Sequence, residues 1–330
     1  MSKATMRAVR IHEFGGPEVL VYEEVPRPEP KPDEVLIRIH AACLNPPDWY
    51  ARIGFANIPA DKRPDRRLPF TPGSDASGVV VAVGSEVTEW AEGDAVFGMI
   101  RFPDPDLDGD TGGRTYAEYT TAPAAHLARK PAGIDHIRAA AVPMAGLTAY
   151  QFLFDHVRLE PGRTVLVNGA AGGVGHFLVQ LAKSRGAHVI GVASGRHESF
   201  LRGLGVDRFI DYTTTAPADA VRDVDHLFDT VGGPDGGRFL PVVKRGGTIS
   251  PVFFGDYDRE RAAESGITFK SGQVHSDGGQ LAELAHLIDA GAVRVGIDGV
   301  FALADAHKAH ERAAAGHIQG KIVLRVVEEG

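Results

Sequence analysis

The 330-residue sequence predicts an α/β chain of two domains, a partly open β-barrel and a doubly wound parallel sheet. Three observations carry this expectation. The length exceeds what one ordinary core fills. The first part reads as short strands broken by proline and glycine, whereas from about residue 128 apolar strands alternate with helix-length segments. Apolar residues make up 43% and charged residues 24% of the chain, as in soluble globular proteins.

The elements follow in order. "MRAVRIHEF" and "EVLIRIHAACL" read as strands, separated by the proline-rich "VPRPEPKPDE". "CLNPPDWYARIG" reads as a loop. "SGVVVAVGSEV" is a β-branched run between glycines, and "EGDAVFGM" follows a turn at Gly93-Asp94. Next, "RTVLVNGA" reads as a buried strand, "GGVGHFLVQLAKSRG" as a helix and "AHVIGVA" as a strand. "HESFLRGLGV" then predicts a helix and "DRFIDY" a strand, and "DHLFDTVGG", "GRFLPVVKRG" and "GTISPVFF" continue strand, helix, strand. Such alternation implies βαβ units and a parallel sheet covered on both faces. "GGQLAELAHLIDAGAV" and "LADAHKAHERAAAG" are amphipathic helices, and "GKIVLRVV" is a closing strand.

Charge and cysteine usage exclude several classes. A net charge of −8 argues against a nucleic-acid surface, and the basic stretch "DKRPDRR" reads as a solvated loop. No segment is apolar for long enough to span a bilayer, and the N-terminus lacks the apolar run of a signal peptide, so a cytoplasmic location is expected. The single cysteine, Cys43, excludes a disulfide framework and a four-cysteine zinc site; it reads as a small buried hydrophobe. His307, His310 and His317 read as a solvated helix face, not a metal shell. The acidic segment with Asp104, Asp106, Asp108 and Asp110 lacks the terminal glutamate of a calcium loop and reads as a surface loop near a cleft.

The strongest chemical signal is "VLVNGAAGGVGHFLVQLAK". A strand ending at Asn168 passes through Ala171, Gly172, Gly173, Val174 and Gly175 into a helix. Glycines let the backbone approach a pyrophosphate, and the helix start offers free N–H groups and a positive dipole end. Ala170 takes the first glycine position, a modest departure from the usual pattern. For NAD, an acidic residue about 20 positions on should bind the ribose 2′-hydroxyl. Here "AHVIGVA" runs into Ser194 and Arg196, which suit a 2′-phosphate, so NADP(H) is favoured. The rival acid, Glu198, falls inside the next helix, and Tyr212 lies where it would flank the adenosine phosphate.

Together with "LPFTPGSDASGVV", "LTAYQFLF" and "GKIVL", these stretches resemble the zinc-independent quinone oxidoreductases of the medium-chain dehydrogenase/reductase superfamily, over nearly the whole chain. The resemblance implies a GroES-like, partly open β-barrel domain of residues 1–127 completed by 268–330, and a Rossmann domain of 128–267. It also implies an active-site cleft between them, NADPH as hydride donor and a homodimer or homotetramer. Zinc-using relatives carry a ligating cysteine where this sequence has Asn45 and a Gly-His-Glu where it has Gly73-Ser74-Asp75, so no metal is expected. Without a Lewis acid, quinones or carbonyl-conjugated double bonds are the plausible substrates. Asn45 and Tyr50 are the expected orienting residues; Thr148, Val231, Gly232, Val252 and Phe253 are expected around the nicotinamide half of the cofactor, and Lys321 is expected to reach the cleft as a cofactor-binding residue, with a surface role as the alternative. Because this family needs no obligatory catalytic side chain, a non-catalytic NADPH-binding redox sensor or partner-binding protein is the alternative.

Overall fold

A computed structural model describes residues 4–56, 58, 60–103 and 114–327. The acidic segment read as a surface loop, with Asp104 to Asp110, lies outside the described residues.

The chain begins with a two-stranded antiparallel ribbon, β1 (Thr5–Ile11) and β2 (Leu20–Pro26). β3 (Glu34–Cys43) follows and leads straight into helix α1 (Pro46–Arg52). β4 (Asp75–Val83), β5 (Ala95–Met99), β6 (Tyr119–Pro123) and β7 (Leu127–Arg129) complete this part. β3 is the strand around which the barrel sheet is built, because it pairs with both β4 and β6. Its apolar run explains the choice: Val35, Ile37 and Ile39 are fully enclosed on one face, and Ala41 and Cys43 continue the buried run.

Two short helices, α2 (His136–Ala140) and α3 (Pro143–Tyr150), cross to the second unit. β8 (Thr164–Asn168), α4 (Gly175–Ser184), β9 (His188–Ala193), α5 (Glu198–Gly203) and β10 (Arg208–Asp211) form its first half. α6 (Pro217–Ala220), β11 (Val224–Asp229), β12 (Val243–Pro251), α7 (Arg259–Glu264) and β13 (Thr268–Phe269) form its second. The parallel strands run in the order β10-β9-β8-β11-β12-β13. The order reverses between β8 and β11, and a crevice therefore opens outside their carboxyl ends. "GRFLPVVKRG" departs from the expected helix: residues 236–242 form a 3₁₀ segment and the rest belongs to β12. Pro241 lacks the N–H a continuing helix would need.

α8 (Gly278–Asp289), β14 (Ile297–Ala302), α9 (Ala306–Ala314) and β15 (Lys321–Arg325) return the chain to the barrel, where β15 pairs with β3. The returning chain is tied to α4 on the way. Gln180 donates to Arg294 O at 2.9 Å and accepts from Arg294 N at 2.7 Å. His176 Nε2 accepts from Gly296 N at 3.3 Å, which leaves Nδ1 as the donor to Gly172 O at 2.9 Å. Burial pushes His176 down to about 4, so the neutral ring this pairing requires is the stable form. The expected solvated histidine face does not hold for His310. It is 2% exposed and sits edge-on to Tyr116, because α9 packs its apolar side onto the barrel. Among the described residues no helix is long and apolar enough to cross a membrane.

Close packing of α4 on β8 depends on Gly175. A Cβ there would lie 2.2 Å from Gly169 O and 2.8 Å from Ala170 Cα, both backbone atoms that cannot move aside. Gly175→Ala is expected to lower stability by about 1–3 kcal/mol, as core overpacking does. Gly203→Ala, inside α5 where a Cβ meets nothing within 4 Å, is expected to hold or raise the melting temperature. Thermal unfolding of the two variants beside the parent checks both.

Candidate active site

A cavity of about 1080 Å³ lies at the carboxyl edge of the parallel sheet, walled on the other side by α1 and the barrel. Its floor on the sheet side is the turn after β8. Ala171, Gly172, Gly173 and Val174 border the cavity, while Gly175 is buried beneath the turn. The turn is tied to β9 by Gly169 N and Ala170 N, each donating to Val192 O at 3.1 Å. A Cβ on Gly173 would lie 3.0 Å from Lys321 Cδ, so this glycine keeps open the space above the turn. Bare backbone at a helix N-terminus is the cradle a dinucleotide's phosphates require, and the residues present fit that group.

At the end of β9, Ser194 borders the cavity and its buried hydroxyl has no hydrogen-bond partner among the described residues. Tyr212 borders the cavity as well, whereas Arg196 is exposed and outside the lining. Asp211, which sequence reasoning did not single out, accepts from Thr213 Oγ1 at 2.7 Å and Thr213 N at 2.9 Å. Those bonds hold its carboxyl below the usual range.

The third wall comes from the ends of β11 and β12. Val231, Val252 and Phe253 border the cavity; Gly232 does not. Gly232 instead has a φ of 66° and packs on Phe254 O, which a Cβ would approach to 2.1 Å. The fully buried Asp229 shapes this wall. It accepts from Asn168 Nδ2 at 2.8 Å, Tyr257 Oη at 2.9 Å, Val231 N at 3.0 Å and Gly232 N at 3.1 Å. Facing it, Tyr50 stacks on Phe253 with centroids 6.0 Å apart and planes 27° apart. Phe254 continues the aromatic surface outward and is 72% exposed.

The stretch read as a loop after β3 is a helix, α1, and this changes what Asn45 does. Asn45 is the N-cap, Pro46 opens the first turn and Asp48 stands at the third helical position. Asp48 accepts from Asn45 N at 2.8 Å, the reverse half of a capping box. N-P-P-D was the missed signal, since Asn, Pro and an acid at these spacings mark a helix start. The Asn45 amide is used inside the protein. Nδ2 donates to Asp75 Oδ2 at 2.9 Å and to Cys43 O at 3.4 Å, and Oδ1 accepts from Lys321 Nζ. Asn45, expected to orient a ligand, has its amide engaged in an internal bridge instead. Thr148, though on the cavity wall, likewise spends its hydroxyl, donating to Met144 O at 2.6 Å.

Lys321 also donates to Leu44 O at 3.0 Å and is only 5% exposed. Around it lie two buried carboxylates. Asp75 takes Met144 N at 3.0 and 3.1 Å, capping α3; Asp48 takes Tyr116 Oη at 3.3 Å. Burial pushes Asp48 up to about 7 and Asp75 up to about 6. Cys43 donates to Ile322 O at 3.2 Å and burial pushes its thiol up to about 12, which makes it inert core. These residues do not fit zinc. Asn45 and Ser74 stand where two ligands would be needed, and among the described residues no group of three or more His, Cys, Asp or Glu is placed to hold a metal.

The raised Asp48 gives a signed pH dependence. Its folded value, about 7, exceeds the unfolded 3.8, so the folded state binds more protons between those limits and stability falls as pH rises through them. Asp48→Asn keeps an acceptor for Asn45 N and Tyr116 Oη but cannot ionise. It is expected to melt higher than the parent at pH 8, with the difference shrinking by pH 5; a difference independent of pH contradicts this account.

Residues 31–132 match the alcohol dehydrogenase GroES-like domain, and 204–324 match the zinc-binding dehydrogenase family. The chain is 36% identical over 332 residues to a 2-methylene-furan-3-one reductase of Solanum lycopersicum, covering 98% of this chain and 79% of that one. Among solved structures it is similar to the quinone oxidoreductase from Coxiella burnetii, with a TM-score of 0.87, 34% identity, and coverage of 98% of this chain and 100% of that one. A mycobacterial protein solved in complex with NADPH gives a TM-score of 0.83 at 30% identity, covering 97% of this chain and 100% of the other. A barrel joined to a dinucleotide-type sheet across such a cleft is the shared architecture, and by sequence and fold the chain belongs to the quinone oxidoreductases of the medium-chain dehydrogenase/reductase superfamily.

Proposed function

We propose that this oxidoreductase is an NADPH-dependent, zinc-free reductase of quinones or α,β-unsaturated carbonyls. Its cleft lies between a barrel domain, 1–127 completed by 268–330, and a dinucleotide domain, 128–267. The observation that carries the reading is the pairing of two walls across one cavity: a bare glycine turn beside the Lys321 ammonium, and the flat Tyr50–Phe253 stack. When bound, NADPH supplies the hydride.

The chain's own residues bind and orient. Backbone N–H groups of the Gly172–Gly175 turn and the Lys321 ammonium meet the pyrophosphate; Ser194 and Arg196 meet the 2′-phosphate from the end of β9. Exposed Arg196 is free to swing onto that phosphate, and Tyr212 flanks the adenosine. Val231, Val252 and Phe253 would border the nicotinamide ribose, and Tyr50 would hold a planar acceptor in the cleft over the nicotinamide face from which hydride leaves. A quinone or enone already withdraws electrons from the carbon that is attacked, so solvent can deliver the proton and no metal is needed to polarise it. The tomato relative's printed substrate, a methylene conjugated to a ring ketone, and the Coxiella relative's name both fall in this class.

Two measurements test the proposal. NADPH oxidation is expected with flat quinones or enones and not with simple aldehydes; tight NADPH binding without turnover on any acceptor overturns it. Arg196→Ala is expected to weaken NADPH roughly tenfold, as loss of hydrogen bonds to a charged group does, and to leave NADH nearly unchanged. Equal losses for both cofactors would remove Arg196 from phosphate recognition.

A further inference from the structure

We infer that Asp75 is a positioning residue for cofactor binding: through the Asn45 amide it fixes the Lys321 ammonium beside the glycine-rich turn. The inference rests on the reading of that turn as a dinucleotide site and adds a residue to it.

The argument is one of hydrogen-bond polarity. An ionised carboxylate only accepts, an ammonium only donates, and a primary amide does one at each end. Asn45 lies between Asp75 and Lys321, donating to the first from Nδ2 at 2.9 Å and accepting from the second at Oδ1. Only one orientation of the amide satisfies both neighbours, so the acceptor at position 75 and the donor at position 321 lock Asn45 between them and hold its oxygen on Lys321. Asp75 is itself held in place: it is fully buried, on the first residue of β4, and receives Met144 N from α3. The last link reaches the turn. A Cβ at Gly173 would lie 3.0 Å from Lys321 Cδ and 3.8 Å from Nζ, so the ammonium stands where phosphate charge would arrive. Because all three side chains are almost fully enclosed, solvent cannot substitute for a lost partner, and the orientation set at one end persists at the other.

Asp75→Asn tests this without deleting a side chain. Met144 N and Asn45 Nδ2 both reach Oδ2 of the carboxylate, at 3.1 and 2.9 Å, so the single oxygen of the new amide can keep both bonds, but the negative charge beside the ammonium is lost. An amide oxygen accepts more weakly than a carboxylate and carries no charge, so Asn45 is held less firmly and the ammonium beside it is less tightly fixed. The expected result is NADPH binding weakened about tenfold, together with faster labelling of Lys321 by an acetylating reagent, read by peptide mass spectrometry with no cofactor present. Asn45→Asp combined with Asp75→Asn moves the carboxylate one step along the chain, into direct contact with Lys321. It is expected to restore both readouts, which a mere α3-capping role for Asp75 would not do. Lys321→Met is expected to weaken NADPH by itself and to make Asp75→Asn silent.

Parent-like affinity and labelling in folded Asp75→Asn overturns the inference, as does failure of the double variant to restore either. If the parent does not bind NADPH at all, the dinucleotide reading falls and the cofactor role with it. The labelling arm still decides whether Asp75 positions Lys321.

Discussion

One buried cation, Lys321, joins three separate parts of the chain. Its backbone N–H donates to Gly296 O at 3.0 Å, its stem crosses Gly173, and its ammonium is taken up by Leu44 O and Asn45 Oδ1. An ammonium removed from water is costly unless partnered and hydrogen-bonded. The fold answers with two acceptor atoms and two carboxylates nearby. That solution dictates its surroundings. Gly320 must bring the backbone close enough: its φ is 80°, a Cβ would lie 2.2 Å from Gly296 O, and its N–H reaches Ala171 O at 2.8 Å. Segment 294–296 is in turn pinned by Gln180 and His176 on the helix that follows the glycine turn. The position of one charge thus depends on contacts that begin at the other wall of the cleft.

Both walls use the same device. On the barrel side Asp75, at the start of β4, collects an amide and the N-terminus of α3. On the sheet side Asp229, at the end of β11, collects an amide, a phenol and two backbone N–H groups. A carboxylate that accepts several short bonds in a dry site holds loops that carry few apolar contacts of their own. On the sheet side, the loops built this way present Val231 and Phe253 to the cavity.

What could be read from the sequence follows the range of the interactions. The glycine turn and the alternation of strands and helices are local patterns, and local patterns are legible. α1 was legible too, from N-P-P-D, but the paired prolines read more readily as loop. The 3₁₀ segment over 236–242 followed from Pro241. Nothing local announces that Asn45, Asp75 and Lys321 meet, because residues 45 and 321 are brought together only by β15 returning to β3. His310 illustrates the same limit. Its neighbours along α9 are polar or small, and only the packing of α9 beneath the barrel encloses it.

The charge that the cleft wall holds, the single buried ammonium of Lys321, limits what it can stabilise. An ammonium carries one charge and spends two of its hydrogen bonds on Leu44 and Asn45, so little of its field remains to ionise an alcohol. Its Nζ lies 3.8 Å from where a Cβ on Gly173 would be, so the rest of its field falls beside the glycine turn, where under the proposed function phosphate would arrive. The reacting carbon is left with an aromatic wall and no strong electrophile. Under the proposed reaction, selectivity then falls to the substrate's own electronics: acceptors whose conjugation already lowers the barrier to hydride react, and unactivated ketones or alcohols do not.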